Sequence, residues 1–263
     1  MRTLEIDAGN TRIKWRLFDY KKQQKEKINS GLALAQDITT ELPKDFCRQL
    51  IELTNKNIKR ISVSNVRGED FANALSSFCE KQFSINVNFA LVSSEQAGLK
   101  NAYQNFKTLG VDRWLAMLAA YHSAESAVCI VDCGSALTID LINAEGQHEG
   151  GFIVPGMKMM QRSLGNQTVN LIYKPESINS IELGKNTADA INHGVLNMVL
   201  GMLEKVNQKM SAGKGVDRRW YLCGGDAVTL STFIKWEHEI KPELVMDGLE
   251  IACAYSENGN KDK

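Results

Sequence analysis

Neither sign of charge dominates this chain: 31 lysines and arginines meet 31 aspartates and glutamates over 263 residues, for a formal net charge of zero. That balance removes the strong positive field on which nucleic-acid or anionic-membrane binding depends, so the expected partner is a small molecule. No stretch reaches the ~20 apolar residues of a membrane span, and MRTLEID lacks the apolar run that follows the charges of a secretory leader. The expectation is a cytoplasmic protein with neither membrane nor nucleic acid as partner. The six cysteines (Cys47, Cys79, Cys129, Cys133, Cys223 and Cys253) form no CxxC pair, and His122, His148, His193 and His238 show no metal-ligand spacing. Reduced core thiols are expected rather than a disulfide framework or a zinc site. Neither Gly184-Lys185 nor Gly213-Lys214 is followed by Ser or Thr, so there is no Walker A loop, and no GxGxxG occurs.

What is present is an interleaving of strands and helices, on a chain long enough for two halves of roughly 130 residues each. TLEID and RIKWRLF read as a hairpin, with SGLALAQ as a third strand after the charged KKQQKEK turn. PKDFCRQLIEL has helical spacing, KRISVSNV is strand-like, DFANALSSFCEKQF sets Phe71, Leu75 and Phe78 on one helical face, and NVNFALVSS follows as another strand. Three strands and then alternating helices and strands outline a ribonuclease-H-like half-domain. The second half starts over: CIVDCGSALTIDLINAEG aligns without a gap on LEIDAGNTRIKWRLFDYK, placing Asp132 on Asp7, Gly134 on Gly9 and Ser135 on Asn10. EGGFIVPG, a long helix from about Ala188 to Met210, the strand RWYLC with Gly224-Gly225-Asp226 after it, and a short strand and helix from Pro242 complete the chain. The fold expected is α/β: two duplicated ribonuclease-H-like lobes of the actin-like ATPase kind, 1–113 and 114–263, each a mixed sheet flanked by helices.

The repeated element has a physical reading. An aspartate where a strand enters a tight turn can hold a cation directly or through water, glycine lets backbone approach a phosphate closely, and small polar residues add donors without bulk. Two such loops facing each other across a cleft would clamp a polyphosphate. As turn chemistry DAGN is also ordinary, but an ordinary turn has no reason to recur in the same strand-turn-strand frame.

Six short motifs carry a family resemblance: DAGNTRIK at 7–14, LGVDRW at 109–114, DCGSALT at 132–138, GGFIVPG at 150–156, LGKNT at 183–187 and GGD at 224–226. In this order, over nearly the whole chain, they resemble the type III pantothenate kinases of the acetate kinase, sugar kinase, Hsp70 and actin superfamily. The resemblance implies phosphorylation of the terminal hydroxyl of pantothenate by ATP, the first step toward coenzyme A. It implies an ATP-binding first loop of Asp7, Ala8, Gly9, Asn10, Thr11, Arg12, Ile13 and Lys14, with Asp7 near magnesium, through water if not directly, and Lys14 offsetting phosphate charge. It makes Asp132 a ligand of a monovalent cation, potassium or ammonium, and Ser135 an ATP contact where the family pattern DxGTAxT has threonine. Tyr103, Gly110, Val111, Asp112, Arg113 and Thr187 map to the substrate side, with Asp112 as general base and Arg113 suited to the pantothenate carboxylate. A homodimer is implied as well.

Several of these residues have plainer readings. Asp112 could cap the helix RWLAMLAAY, Thr187 could cap the helix that follows it, and GGD could be a strand-to-helix turn instead of an adenosine-side loop. Ile191, Val195, Met198, Met202 and Val206 form an apolar stripe with Gly194 and Gly201, fitting either a core-facing helix or a dimer interface. Two further functions remain open: an accessory factor in transcription that keeps the fold without kinase activity, and a nucleotide-driven clamp of the Hsp70 or actin type, for which 263 residues leave little room.

Overall fold

Both faces of the first strand, β1 (Arg2–Ala8), are covered, although from Thr3 on its residues alternate strictly between polar and apolar. Leu4, Ile6 and Ala8 enter an apolar cluster, while Thr3 and Glu5 on the opposite face are also closed off from water. The computed structural model describes residues 1–21, 24–35, 41–167, 180–211 and 218–259. After β1 come β2 (Arg12–Lys21), β3 (Gln24–Leu34), α1 (Lys44–Ile51), β4 (Ile58–Asn65), α2 (Glu69–Phe83), β5 (Val87–Phe89), the small hairpin β6 (Glu95–Gln96) and β7 (Leu99–Lys100), and α3 (Val111–Ala124). The second series is β8 (Val128–Cys133), β9 (Ala136–Ile142), β10 (His148–Pro155), α4 (Met157–Gln167), α5 (Thr187–Ser211), β11 (Arg219–Cys223), α6 (Ala227–Ser231), β12 (Glu239–Ile240) and α7 (Leu244–Gly259).

The duplication is complete at the level of topology. One sheet runs β3-β2-β1-β4-β5 and the other β10-β9-β8-β11-β12, each with an antiparallel three-stranded meander joined to two parallel strands. Two mixed sheets flanked by helices are therefore the architecture. In the first sheet the core gathers Leu4, Ile6, Ile13, Leu17, Ile61 and Val63 with Phe46, Phe71 and Leu75 of α1 and α2. In the second it gathers Val131, Leu137 and Ile139 with Val195, Leu196, Val199 and Leu203 of α5.

Three local expectations change. The KKQQKEK segment, expected as a turn, supplies strand residues: Gln24 to Lys27 pair with Lys21 to Phe18, while residues 22–23 lie outside the described residues. By contact the residues fall into two compact units, Met1–Ala119 with Leu244–Lys263 and Ala120–Glu243. The division thus falls inside α3, and the C-terminal helix, placed with 114–263 from sequence, packs on β1 and β4, where Asp247 and Glu250 meet Arg16 and Tyr20. Third, α5 buries Asn192, Val195, Leu196, Val199, Leu203 and Val206, whereas Met198 is 58% exposed. Apolar residues lie on two sides of this helix: Val195 and Val206 of the expected stripe face the sheet together with Leu196, Val199 and Leu203, and Met198 does not.

None of the six cysteines is in a disulfide, and all but Cys47 are buried. Burial raises the Cys79 thiol to about 12 and pushes the Cys129 and Cys133 thiols up as well, so these are inert core side chains. No helix among the described residues is long and apolar enough to cross a membrane.

Candidate active site

The first loop is built by the β1–β2 turn. Asp7, half-buried, sits directly across from Lys14 in the antiparallel register, one residue before the pair Ala8 and Ile13. The Gly9 amide closes the turn on the Arg12 carbonyl at 3.1 Å, and a Cβ on Gly9 would approach that oxygen to 3.0 Å. Asn10, Thr11 and Arg12 are exposed, while Ile13 is buried in the core, so a polar crest stands on an apolar base. Arg67, not anticipated from sequence, donates Nη1 to the Gly9 and Asn10 carbonyls at 3.3 and 3.0 Å and braces the turn from β4's end.

The second loop repeats this design with one residue fewer. Asp132 lies opposite Thr138, and Cys133 opposite Leu137. Asp132 is therefore 125 residues from Asp7, but Thr138 is 124 from Lys14. The Gly134 amide closes on the Ala136 carbonyl at 3.0 Å, and the Ser135 carbonyl accepts from Gly156 at 3.0 Å just as the Thr11 carbonyl accepts from Ala35. Ser135 thus corresponds to Thr11, and Asn10 is the extra residue of the first turn. The ungapped alignment fails at this point because a strand has period two: keeping it would turn Leu137 and Ile139 away from the core that Ile13 and Trp15 occupy in the first sheet.

Two glycines shape the second loop. A Cβ on Gly156 would lie 2.3 Å from the Gly134 carbonyl oxygen. Gly224, at φ 86, would bring one to 2.4 Å from Asp132 Oδ1. The GGD segment therefore rests against the Asp132 carboxylate; the Asp226 amide donates to the Cys133 carbonyl at 3.0 Å, and its side chain accepts from Lys158 Nζ at 2.6 Å. Lys158 carries no signal in the sequence, whereas Gly156 belongs to a motif singled out there.

In the first unit Tyr103 and Arg113 come together. Arg113, only 8% exposed, donates Nη1 to the Tyr103 hydroxyl at 3.0 Å, with its guanidinium carbon 5.8 Å from the ring centroid. Asn101 Oδ1 accepts from the Tyr103 amide at 3.0 Å. Asp112 is not the residue that caps α3. The first helical bond runs from Trp114 N–H to Gly110 O at 3.0 Å, which puts Asp112 at the second helical position, its Oδ1 accepting from the Arg113 amide at 2.8 Å. A Cβ on Gly110 would stand 2.6 Å from that same oxygen, so glycine leaves room for the carboxylate to lie over the helix start. Thr187 likewise opens α5 without capping it: Asn186 Oδ1 accepts the Asp189 amide at 2.9 Å, and Asp189 Oδ2 accepts back from Asn186 at 2.8 Å. Both threonine and aspartate are thereby released from the capping duty that their local sequence suggested.

Comparisons with known proteins agree with this construction. The pattern of the type III pantothenate kinases matches residues 3–209. A type III pantothenate kinase of Pseudomonas fluorescens is 33% identical over 257 residues, 96% of this chain and 99% of the relative. Among solved structures, a Campylobacter jejuni protein described as a Baf family transcriptional activator has a TM-score of 0.58 at 20% identity, covering 97% of this chain and 99% of that one. The activator of 2-hydroxyisocaproyl-CoA dehydratase from Clostridium difficile, with bound ADPNP, has a TM-score of 0.54 at 12% identity over 100% and 98%; at such identities the likeness speaks for the fold. Sequence pattern, relatives and duplicated topology together establish that the chain belongs to the type III pantothenate kinase family.

Proposed function

We propose that this chain transfers the γ-phosphoryl group of ATP to the terminal hydroxyl of pantothenate, giving 4′-phosphopantothenate. The observation that carries the reading is the start of α3, where a buried arginine bonded to Tyr103 stands next to Asp112. Arg113 is the group for the pantothenate carboxylate, which a guanidinium can grip through two oxygens. Asp112 accepts the proton of the attacking hydroxyl as its oxygen bonds to the γ-phosphorus and the bond to the bridging oxygen of ADP breaks. Most of the rate in such a transfer comes from alignment and from neutralising charge on the phosphoryl oxygens. The relatives that carry the kinase name match nearly their whole length, which favours this reading over an accessory role in transcription.

The two loops divide the nucleotide work according to what stands opposite each aspartate. Lys14 faces Asp7 in the first, and Thr138 faces Asp132 in the second. The first loop, Asp7 to Lys14, takes the phosphates, and Asp7 is the residue that would hold magnesium, directly or through water; the ion, when bound, would screen the phosphate charge. Its carboxylate is the hard oxygen donor that magnesium prefers. Asp132, with a hydroxyl residue opposite in place of a lysine, suits a monovalent cation such as potassium or ammonium, and Ser135 contacts ATP. Tyr103, Gly110, Val111 and Thr187 complete the pantothenate side. ADP release by the purified protein with ATP and magnesium is expected to depend on pantothenate and to be faster in potassium than in sodium. Release that ignores pantothenate would overturn the substrate assignment.

The dimer reading draws support from the outer face of α5. Met198 is 58% exposed, and nothing among the described residues lies within 4 Å of a Cβ placed on Gly194 or Gly201. Glycine in an exposed helix interior costs roughly 0.5–1 kcal/mol relative to alanine, and among the described residues these two ease no packing. A second copy seated on the face formed by Ile191, Gly194, Met198 and Gly201 explains them. Sedimentation of the wild type is expected to give a dimer and that of Met198→Glu a monomer; a monomeric wild type would remove the proposal.

A further inference from the structure

The C-terminal helix α7 stands between the first sheet and the helix that carries Asp112. On the sheet side Asp247 accepts from Arg16 Nη1 at 2.8 Å, and Glu250 accepts from the Tyr20 hydroxyl at 3.0 Å and from Lys25. On the other side α7 meets α3 backbone to backbone: a Cβ on Gly248 would lie 1.9 Å from the Leu115 carbonyl oxygen and 2.8 Å from its Cα. Leu115 is three residues past Asp112, within a turn of the helix start. No other residue type allows this approach without moving one helix off the other.

A second link lies beside the first. Gln96, on β6, donates Nε2 to the Ala252 carbonyl of α7 at 3.0 Å and accepts the Trp114 indole N–H at 3.3 Å. Trp114 is fully buried and follows Arg113 directly. The hairpin that presents Gln96 turns through Ala97 at φ 51 and Gly98 at φ 81, and an alanine is held in the left-handed region only where surrounding structure demands it. Gln96 is thus a fixed strut with one end on each helix.

We propose that Gln96 and Gly248 are positioning residues: through them α7 sets the height and angle of the α3 start, and with it the placement of Asp112 and Arg113 toward pantothenate. The proposal rests on the function given above and adds the element that aligns its acceptor side. An in-line transfer tolerates little displacement, since a misplacement of about 1 Å can cost about 10²-fold in rate. The sequence match to the family pattern ends at residue 209, so α7 is a contribution of the chain beyond that pattern.

The test compares full-length wild type, Gln96→Met, Gln96→Glu and Gly248→Ala by steady-state kinetics in both substrates, with thermal unfolding of each. Gln96→Met keeps length and volume but neither bond; it is expected to lose about tenfold or more in kcat/KM for pantothenate while KM for ATP moves less than about twofold. Gln96→Glu, which keeps the acceptor for Trp114, is expected to recover part of the loss. Wild-type pantothenate kinetics in Gln96→Met would overturn the proposal even if stability fell, and so would a KM raised by the same factor for both substrates. If Gly248→Ala does not fold, the two Gln96 variants decide. Asp112→Asn is run alongside: should it keep activity, the base assignment fails by itself, and the positioning is then judged by calorimetric binding of pantothenate to Gln96→Met, expected about tenfold weaker through Arg113 and, if unchanged, fatal to it.

Discussion

Asp112→Asn is expected to lower kcat by about 10²–10⁴-fold, the ordinary contribution of a positioned base, while leaving the protein folded and its KM for ATP close to wild type. The reasoning starts from what asparagine preserves. Its Oδ1 can still accept the Arg113 amide that Asp112 accepts at 2.8 Å, and it fits the space that Gly110 leaves beside it. The helix start therefore keeps its bond, and the change in stability should stay below about 1 kcal/mol. What is lost is the negative charge and the ability to take a proton. Because the residue is not the cap of α3, whose first bond belongs to Gly110 and Trp114, the substitution separates chemistry from folding more cleanly than the local sequence promised. Steady-state ADP release together with thermal unfolding measures both. A kcat within about tenfold of wild type would exclude Asp112 as the base and leave alignment and charge neutralisation to supply the rate.

Local patterns in the sequence carried far in this protein, and they stopped where a contact joined distant segments. The repeat was visible because Asp7-Ala8-Gly9 and Asp132-Cys133-Gly134 keep the same spacing up to the turn; the one-residue difference beyond it emerges only when strand pairing sets Lys14 opposite Asp7 and Thr138 opposite Asp132. In α5 the spacing of apolar residues identified a helix and part of its buried side, Val195 and Val206, but not the rest, because Met198, Leu200 and Met202 extend the apolar surface around much of the circumference, and the sheet selected Leu196, Val199 and Leu203 as well. Thr187 and Asp112 looked like caps because each precedes a helical run, and the caps proved to be Asn186 and Gly110, one and two residues earlier. The membership of α7 in the first unit had no local signal at all: it follows from a glycine on Leu115 and two acids on Arg16 and Tyr20, contacts between segments far apart in the chain.

Glu5→Ala is expected to cost about 3–5 kcal/mol of stability, the usual penalty for removing one partner of a buried ion pair. Glu5 is fully buried and Arg16 is 1% exposed; Arg16 Nε donates to Glu5 Oε2 at 2.6 Å and Nη1 to Asp247. Alanine would take from the buried guanidinium its fully buried carboxylate, while Asp247, which also accepts from it, is half exposed. Glu5→Gln should cost less, because the amide oxygen can still accept from Arg16. The two forms also differ in pH dependence. Burial raises the Glu5 carboxyl above its ordinary 4.5, and Arg16 offsets only part of that shift. A carboxyl with a raised folded-state pKa binds its proton more tightly in the native state, so its stabilising contribution is complete below the unfolded value and is lost as pH rises through the folded one. Urea unfolding at steps from below pH 4.5 to neutrality should therefore show the wild type losing ground to Glu5→Gln as pH increases. A gap that stays constant, or that moves the other way, would mean that Arg16 governs the Glu5 charge and that burial does not.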